Sequence, residues 1–177
     1  NMAALLTKKE RDFGHEIWLI SDEPYREIAF DGHQVPYVSL YYPRTISCYS
    51  FSKSLSVPGE RIGYVAVNPA SGVSALLVNM CGQISRGIGH NCPSSVIQLA
   101  AADCCDMTAD LSVYETNMNI LCDGLSKLGF EIVRPGGTFY MFPKALEADA
   151  NVFIKKALPY GLILVPVSYT HLTLPTI

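Results

Sequence analysis

A helix-like start over Met2 to Phe13 gives way to Ile17-Trp18-Leu19-Ile20, an apolar run that does not alternate and therefore predicts a strand buried on both faces. The run stops at Ser21-Asp22. Thr45 to Tyr49 and Ile62 to Val67 are two more short β-prone runs, the latter closed by Asn68-Pro69. Asp31-Gly32 and Pro58-Gly59 mark the segments between these strands as loops. Ser71 suits the cap of a helix reaching past Met80, and Pro93 opens another that carries Val96, Ile97 and Leu99 toward Ala102.

The pattern changes across Cys104 to Asp110. Beyond it, Val113, Tyr114, Asn117, Leu121, Leu125 and Leu128 trace a helical stripe ending at Gly129. Phe130 to Val133, a Pro135-Gly136-Gly137 turn and Thr138 to Phe142 predict a hairpin, followed by a helix over Asn151 to Leu158 and a strand over Leu162 to Val165. The organisation expected is a larger α/β domain over residues 1–103 and a smaller, truncated α+β domain over residues 104–166.

The eleven residues from Val167 to Ile177 resemble the translation of a transposase sequencing adapter read through into an open reading frame, so residues 167–177 are expected to be a non-native tail. Asn1 is an unusual natural start, which points to a parent extending upstream.

A net charge of -3 without a Lys/Arg run argues against nucleic-acid binding, and no apolar stretch approaches a spanning helix, which argues against a membrane protein. The six cysteines form no C-x-x-C pair and the four histidines stand apart, so no metal site is expected. Free thiols and the lack of a signal-like start predict a cytoplasmic protein with a small-molecule partner.

One cluster carries recognisable chemistry. In Ser50-Phe51-Ser52-Lys53, followed by Arg61 and by Gly63-Tyr64, an amine, two hydroxyls and a guanidinium share a turn-rich stretch. Upstream, Asp22 ends a strand and Tyr25 follows three residues later. An amine kept partly unprotonated forms a Schiff base with an aldehyde and later moves a proton. Hydroxyls and a bidentate guanidinium hold a phosphate, and a carboxylate beside a ring nitrogen keeps it protonated.

Taken singly, Asp22 suits a turn cap, Tyr25 a packing aromatic and Arg61 a surface ion pair with Glu60 or Asp31. The shared spacing is what raises them above these roles. Ser50 and Lys53 also match the Ser-x-x-Lys pattern of serine acylases, but its Lys-Thr-Gly and Ser-Asp-Asn companions do not occur in the sequence.

This spacing, with Pro135-Gly136-Gly137-Thr138-Phe139-Tyr140 downstream, resembles the class I (class I/II) aminotransferase family, pyridoxal-phosphate (PLP) enzymes of fold type I. The resemblance covers residues 1–166. It implies part of a PLP-binding large domain with a mainly parallel sheet, plus the truncated small domain. It also implies transfer of an amino group between an amino acid and a 2-oxo acid, in a homodimer whose subunits share each active site.

Carried over by position, Lys53 is the Schiff-base and proton-transfer lysine, Asp22 the partner of the ring nitrogen and Tyr25 the donor to the ring oxygen. Ser50, Ser52 and Arg61 become phosphate ligands. In the family, a glycine-rich phosphate loop and a ring-stacking aromatic lie upstream of this stretch. The arginine that grips the substrate carboxylate follows the last small-domain strand, where Val167 begins the tail. The chain by itself is therefore expected to be inactive. A PLP lyase or decarboxylase of the same fold, and a regulator carrying an aminotransferase-like domain, remain alternatives at this stage.

Overall fold

The computed structural model describes residues 1–166, so the expected non-native tail over residues 167–177 lies outside the described residues. It divides into two compact units. One comprises Asn1–Val113 with Gly136–Thr138; the other comprises Tyr114–Pro135 and the segment beginning at Phe139.

In the first unit, α1 (Met2–Phe13) is opened by the Asn1 side chain, which accepts from the Ala3 N–H at 3.1 Å. Gly14, at φ 70°, closes it. Three strands follow: β1 (Leu19–Asp22), β2 (Thr45–Ser50) and β3 (Gly63–Val67), in the order β1-β2-β3. β1 runs parallel to β2, with Leu19 opposite Thr45 and Asp22 opposite Cys48. β3 returns antiparallel, with Gly63 opposite Ser50 and Val67 opposite Ile46.

The sheet is therefore mixed, with one parallel and one antiparallel pairing among the described strands. The link from β2 to β3 is one turn of helix, a loop and a 3-10 turn, and it folds the chain back alongside β2 in the opposite direction. β1 also starts later than the apolar run suggests, because the Ile17 N–H is taken by Glu10 Oε1 at 3.0 Å rather than by a strand. The ladder then runs on past Ile20, and the Glu23 N–H still reaches the Cys48 carbonyl at 2.8 Å. Nor is this strand covered on both faces: Ile20 is 67% exposed on the outer edge of the sheet.

The core of this unit gathers Ile28, Phe30, Tyr42, Tyr49, Ile62 and Val67. The long β1–β2 connection is tied in at several points. Tyr42 is buried, and its hydroxyl lies 2.8 Å from Glu10 Oε1 and 2.6 Å from the Ile17 carbonyl. Ala29 forms a bridge with Gly137, where an added Cβ would meet the Ile28 carbonyl oxygen at 2.4 Å.

After β3, Asn68 caps a short 3-10 turn over Pro69–Ser71, and Gly72 at φ 77° interrupts the chain before α3 (Ser74–Gly87) begins. The helix thus starts two residues later than a Ser71 cap implies. α4 (Ser95–Asp103) starts at Ser94, whose Oγ accepts from the Ile97 N–H.

α5 (Ser112–Lys127) leads into the second unit, and Asp110 holds its first turn by accepting from Ser112. The line it buries is Met118 and Cys122, with Tyr114 one turn earlier against Phe139 at 5.5 Å. This is a neighbouring stripe to the one traced by Leu121, Leu125 and Leu128, since Leu121 and Leu128 are exposed.

Asp149 caps α6 (Ala150–Ala157), whose Phe153 meets Phe130 edge-on at 5.8 Å. The hairpin expected over residues 130–142 and the strand over residues 162–165 do not form among the described residues. One backbone bond, Lys144 N–H to the Glu131 carbonyl, joins the two arms. A two-stranded ribbon without a packed face is marginal, and Val133, Ile163 and Val165 are left largely exposed.

Candidate active site

The parallel pairing of β1 and β2 brings their C-terminal ends to one edge of the sheet. Asp22 is the last residue of β1 and Ser50 the last of β2. With Asp22 opposite Cys48, the alternation of strand side chains places Asp22, Cys48 and Ser50 on one face. Asp22 is exposed there.

Its neighbour Glu23 turns the other way into the interior, where Ser47 Oγ donates to its Oε1 at 3.2 Å and Arg26 pairs with its Oε2. The Arg26 guanidinium lies 3.8 Å from the centre of the Tyr37 ring. Arg26 is thus occupied by Glu23 and two tyrosines, as Tyr49 also faces it at 5.8 Å.

β2 passes directly into α2 (Phe51–Ser54). Ser50 caps this turn, accepting from the Ser52 N–H at 3.2 Å, and the two serine hydroxyls lie 2.7 Å apart. Lys53 follows, half-buried, with its Nζ 6.0 Å from the centre of the Tyr25 ring.

The chain then returns through a 3-10 turn, Pro58–Glu60, to Arg61. Arg61 is exposed, sits in the left-handed region at φ 52°, and donates through Nη1 to the Pro58 carbonyl at 2.8 Å. Its position beside the serines is fixed by backbone: the Phe51 N–H bonds to the Ile62 carbonyl at 3.1 Å, and Gly63 pairs with Ser50. A side chain at Gly63 would meet the Tyr49 carbonyl oxygen at 2.2 Å.

Asp22 and Tyr25 also border a cleft of about 360 Å³, whose wall includes Ile28, His33 and Thr138. Ser50, Ser52, Lys53 and Arg61 are not part of that wall. The six expected residues therefore occupy one sheet edge, with the cleft opening on the Asp22–Tyr25 side.

Sequence reasoning passed over the layer beneath them. Tyr49 is buried under α2, its hydroxyl 2.8 Å from Glu27 Oε2 and 2.8 Å from Ser54 Oγ, and its ionisation is pushed up to about 12, chiefly by burial. Burial likewise raises the Cys48 thiol, helped by the Asp22 charge beside it. The only sequence signal for this layer is alternation, which sends Tyr49 to the opposite face from Ser50.

Known proteins resemble this chain along most of its length. The family model for aminotransferase class I and II matches residues 11–176. An aromatic-amino-acid aminotransferase of Thermococcus litoralis is 29% identical over 164 residues, covering 84% of this chain and 40% of that protein. An LL-diaminopimelate aminotransferase of Nostoc is 31% identical, covering 72% and 33%.

Among solved structures, an aminotransferase from Eubacterium rectale superposes with a TM-score of 0.84 at 41% identity, over 94% of this chain and 42% of that one. An aspartate aminotransferase from Thermotoga maritima gives 0.74 at 25% identity, over 94% and 42%. The chain spans between a third and about two-fifths of the curated relatives it matches. By its family model, its relatives and its fold, the chain belongs to the class I and II aminotransferases.

Proposed function

We propose that Lys53 binds pyridoxal 5′-phosphate and that the protein transfers amino groups between an amino acid and a 2-oxo acid. The observation that carries this reading is the meeting of Lys53 and Tyr25 at the shared end of β1 and β2, beside the Asp22 and Ser50 face. The donor set fits the cofactor group by group. An amine faces an aldehyde, the neighbouring Ser50 and Ser52 hydroxyls and the Arg61 guanidinium suit a phosphate dianion, and a carboxylate suits a ring nitrogen.

When bound, PLP supplies an electrophilic carbon and an electron sink for charge developing at the substrate α-carbon. Lys53 Nζ is the group that captures the cofactor and then carries the α-proton. Asp22 holds a proton on the ring nitrogen by its charge, and the Tyr25 hydroxyl donates to the ring oxygen. Ser50, Ser52 and Arg61 would hold the phosphate of the cofactor.

All six residues fall within the proposed PLP-binding part, residues 1–103, with residues 104–166 assigned to the small domain. A cytosolic homodimer is the assembly this reading implies. No helix among the described residues is long and apolar enough to cross a membrane, and no group of metal-ligating side chains is found among them.

The test is to incubate the chain with PLP, reduce with borohydride and map the modified peptide. Label on Lys53, abolished in Lys53→Ala, is expected; label confined to other lysines would remove Lys53 from the site. In the full-length parent, stoichiometric 2-oxo acid from an amino-acid donor is expected, whereas release of ammonia would mark a lyase.

A further inference from the structure

α2 is a single turn, and an isolated turn has no stability of its own. Its direction is set by what grips its ends. At its start, Ser50 caps the Ser52 N–H. At its end, Ser54 is 1% exposed and its Oγ lies 2.8 Å from the Tyr49 hydroxyl. That hydroxyl lies 2.8 Å from Glu27 Oε2 as well.

A phenol has one proton, and a carboxylate only accepts. Tyr49 therefore donates to Glu27, and Ser54 donates to Tyr49. The ring itself is held by Tyr64, stacked at 5.0 Å, and by Phe51, edge-on at 5.1 Å. Lys53 thus sits between two anchored serines on a one-turn helix.

We propose that Tyr49, with Glu27 as its acceptor and Ser54 as its donor, is a positioning residue that clamps α2 and aims the Lys53 amine. The proposal rests on the reading that Lys53 captures PLP. Tyr49 is not a catalytic residue, because it projects from the face of β2 opposite to Asp22 and Ser50. Its phenol stays protonated well beyond neutral pH, with its ionisation at about 12, so the donor is retained across the working range of an amine.

Tyr49→Phe keeps both ring contacts and removes only the hydroxyl. Two readouts are needed: amide hydrogen exchange over residues 51–56 without cofactor, and the rate and site of PLP capture by borohydride trapping. In Tyr49→Phe we expect exchange in that stretch to accelerate about three- to tenfold, as the hydrogen bond that ties Ser54 to the strand is lost along with the one to Glu27. Capture at Lys53 should slow by a similar factor, and the share of label on exposed lysines such as Lys127 and Lys155 should rise.

Ser54→Ala should reproduce both effects, and the double variant should be no worse than Tyr49→Phe alone, because Tyr49→Phe already breaks the Ser54 link. Should Tyr49→Phe unfold, Ser54→Ala carries the same two readouts. Unchanged exchange overturns the clamp. Accelerated exchange with wild-type capture at Lys53 overturns the positioning role and leaves the PLP reading standing. Label on a different lysine in the unaltered chain sinks the PLP reading, and the proposal with it.

Discussion

The Lys53 Nζ lies 6.0 Å from the centre of the Tyr25 ring, although the two residues follow different strands. Parallel pairing of β1 and β2 is what brings them together, since both leave the sheet from its C-terminal edge. Tyr25→Phe keeps the ring that the ammonium faces and removes the hydroxyl. PLP affinity, followed by absorbance titration, is expected to fall about three- to tenfold, the worth of one hydrogen bond. Tyr25→Ala should lose more, and both variants matching the unaltered chain would take Tyr25 out of the site.

Arg61 separates binding from folding. Its left-handed φ of 52° costs a non-glycine residue on the order of 1 kcal/mol, and among the described residues its side chain donates to the exposed Pro58 carbonyl. Arg61→Gly should therefore hold or slightly raise the melting temperature. PLP binding should weaken about ten- to a hundredfold in the same variant, because a charge-assisted phosphate contact is gone. Equal cofactor affinity in Arg61→Gly and the unaltered chain would leave Arg61 a loop residue only.

Much of this site is legible in the sequence because it depends on local spacing. Ser50, Ser52 and Lys53 fall on one strand end and one turn, and Asp22 closes a strand, so order along the chain already places them. Arg61 is brought back by the antiparallel Gly63–Ser50 pairing, which the strand runs alone do not specify. What sequence could not give is partner choice at a distance. The Ile17 amide bonds a helix carboxylate instead of a strand, and the second unit leaves its apolar runs 130–133 and 162–165 without ladders. Tyr49, Ser54 and Glu27 were invisible for the same reason, because nothing local marks a hydroxyl that meets another one beneath a turn.

Gly63 tests how closely the strands must approach at the site. A methyl there would lie 2.2 Å from the Tyr49 carbonyl oxygen and 3.1 Å from the Ser50 Cα, both backbone atoms that cannot swing away. Gly63→Ala should cost about 1–3 kcal/mol or more in chemical denaturation. It should also displace the Phe51–Ile62 backbone bond that anchors the start of α2. A variant as stable as the parent would mean that β3 can shift away from β2 without loss.

Acid should loosen the attachment of α1. Glu10 accepts from the Ile17 N–H at 3.0 Å and from Tyr42 at 2.8 Å, and Arg44 Nη1 donates to its Oε2 at 3.2 Å. The Ile17 amide, then Tyr42 and Arg44, outweigh burial and hold the Glu10 carboxyl below its ordinary range. Because the folded value lies below the unfolded one, the unfolded chain binds the proton first as pH drops. The stabilisation is therefore complete above the ordinary carboxylate value and is lost as pH falls through the depressed one. Glu10→Gln removes the titrating group, so the melting temperature should be lower near neutrality and should decline less steeply between about pH 5 and about pH 3. Glu16 pairs with Arg44 at 3.1 Å but is 60% exposed, so Glu16→Gln should lower the melting temperature near neutrality much less than Glu10→Gln does. If the two variants lowered the melting temperature near neutrality equally, the part-buried link from α1 to Ile17 and Tyr42 would not be the source of the stabilisation.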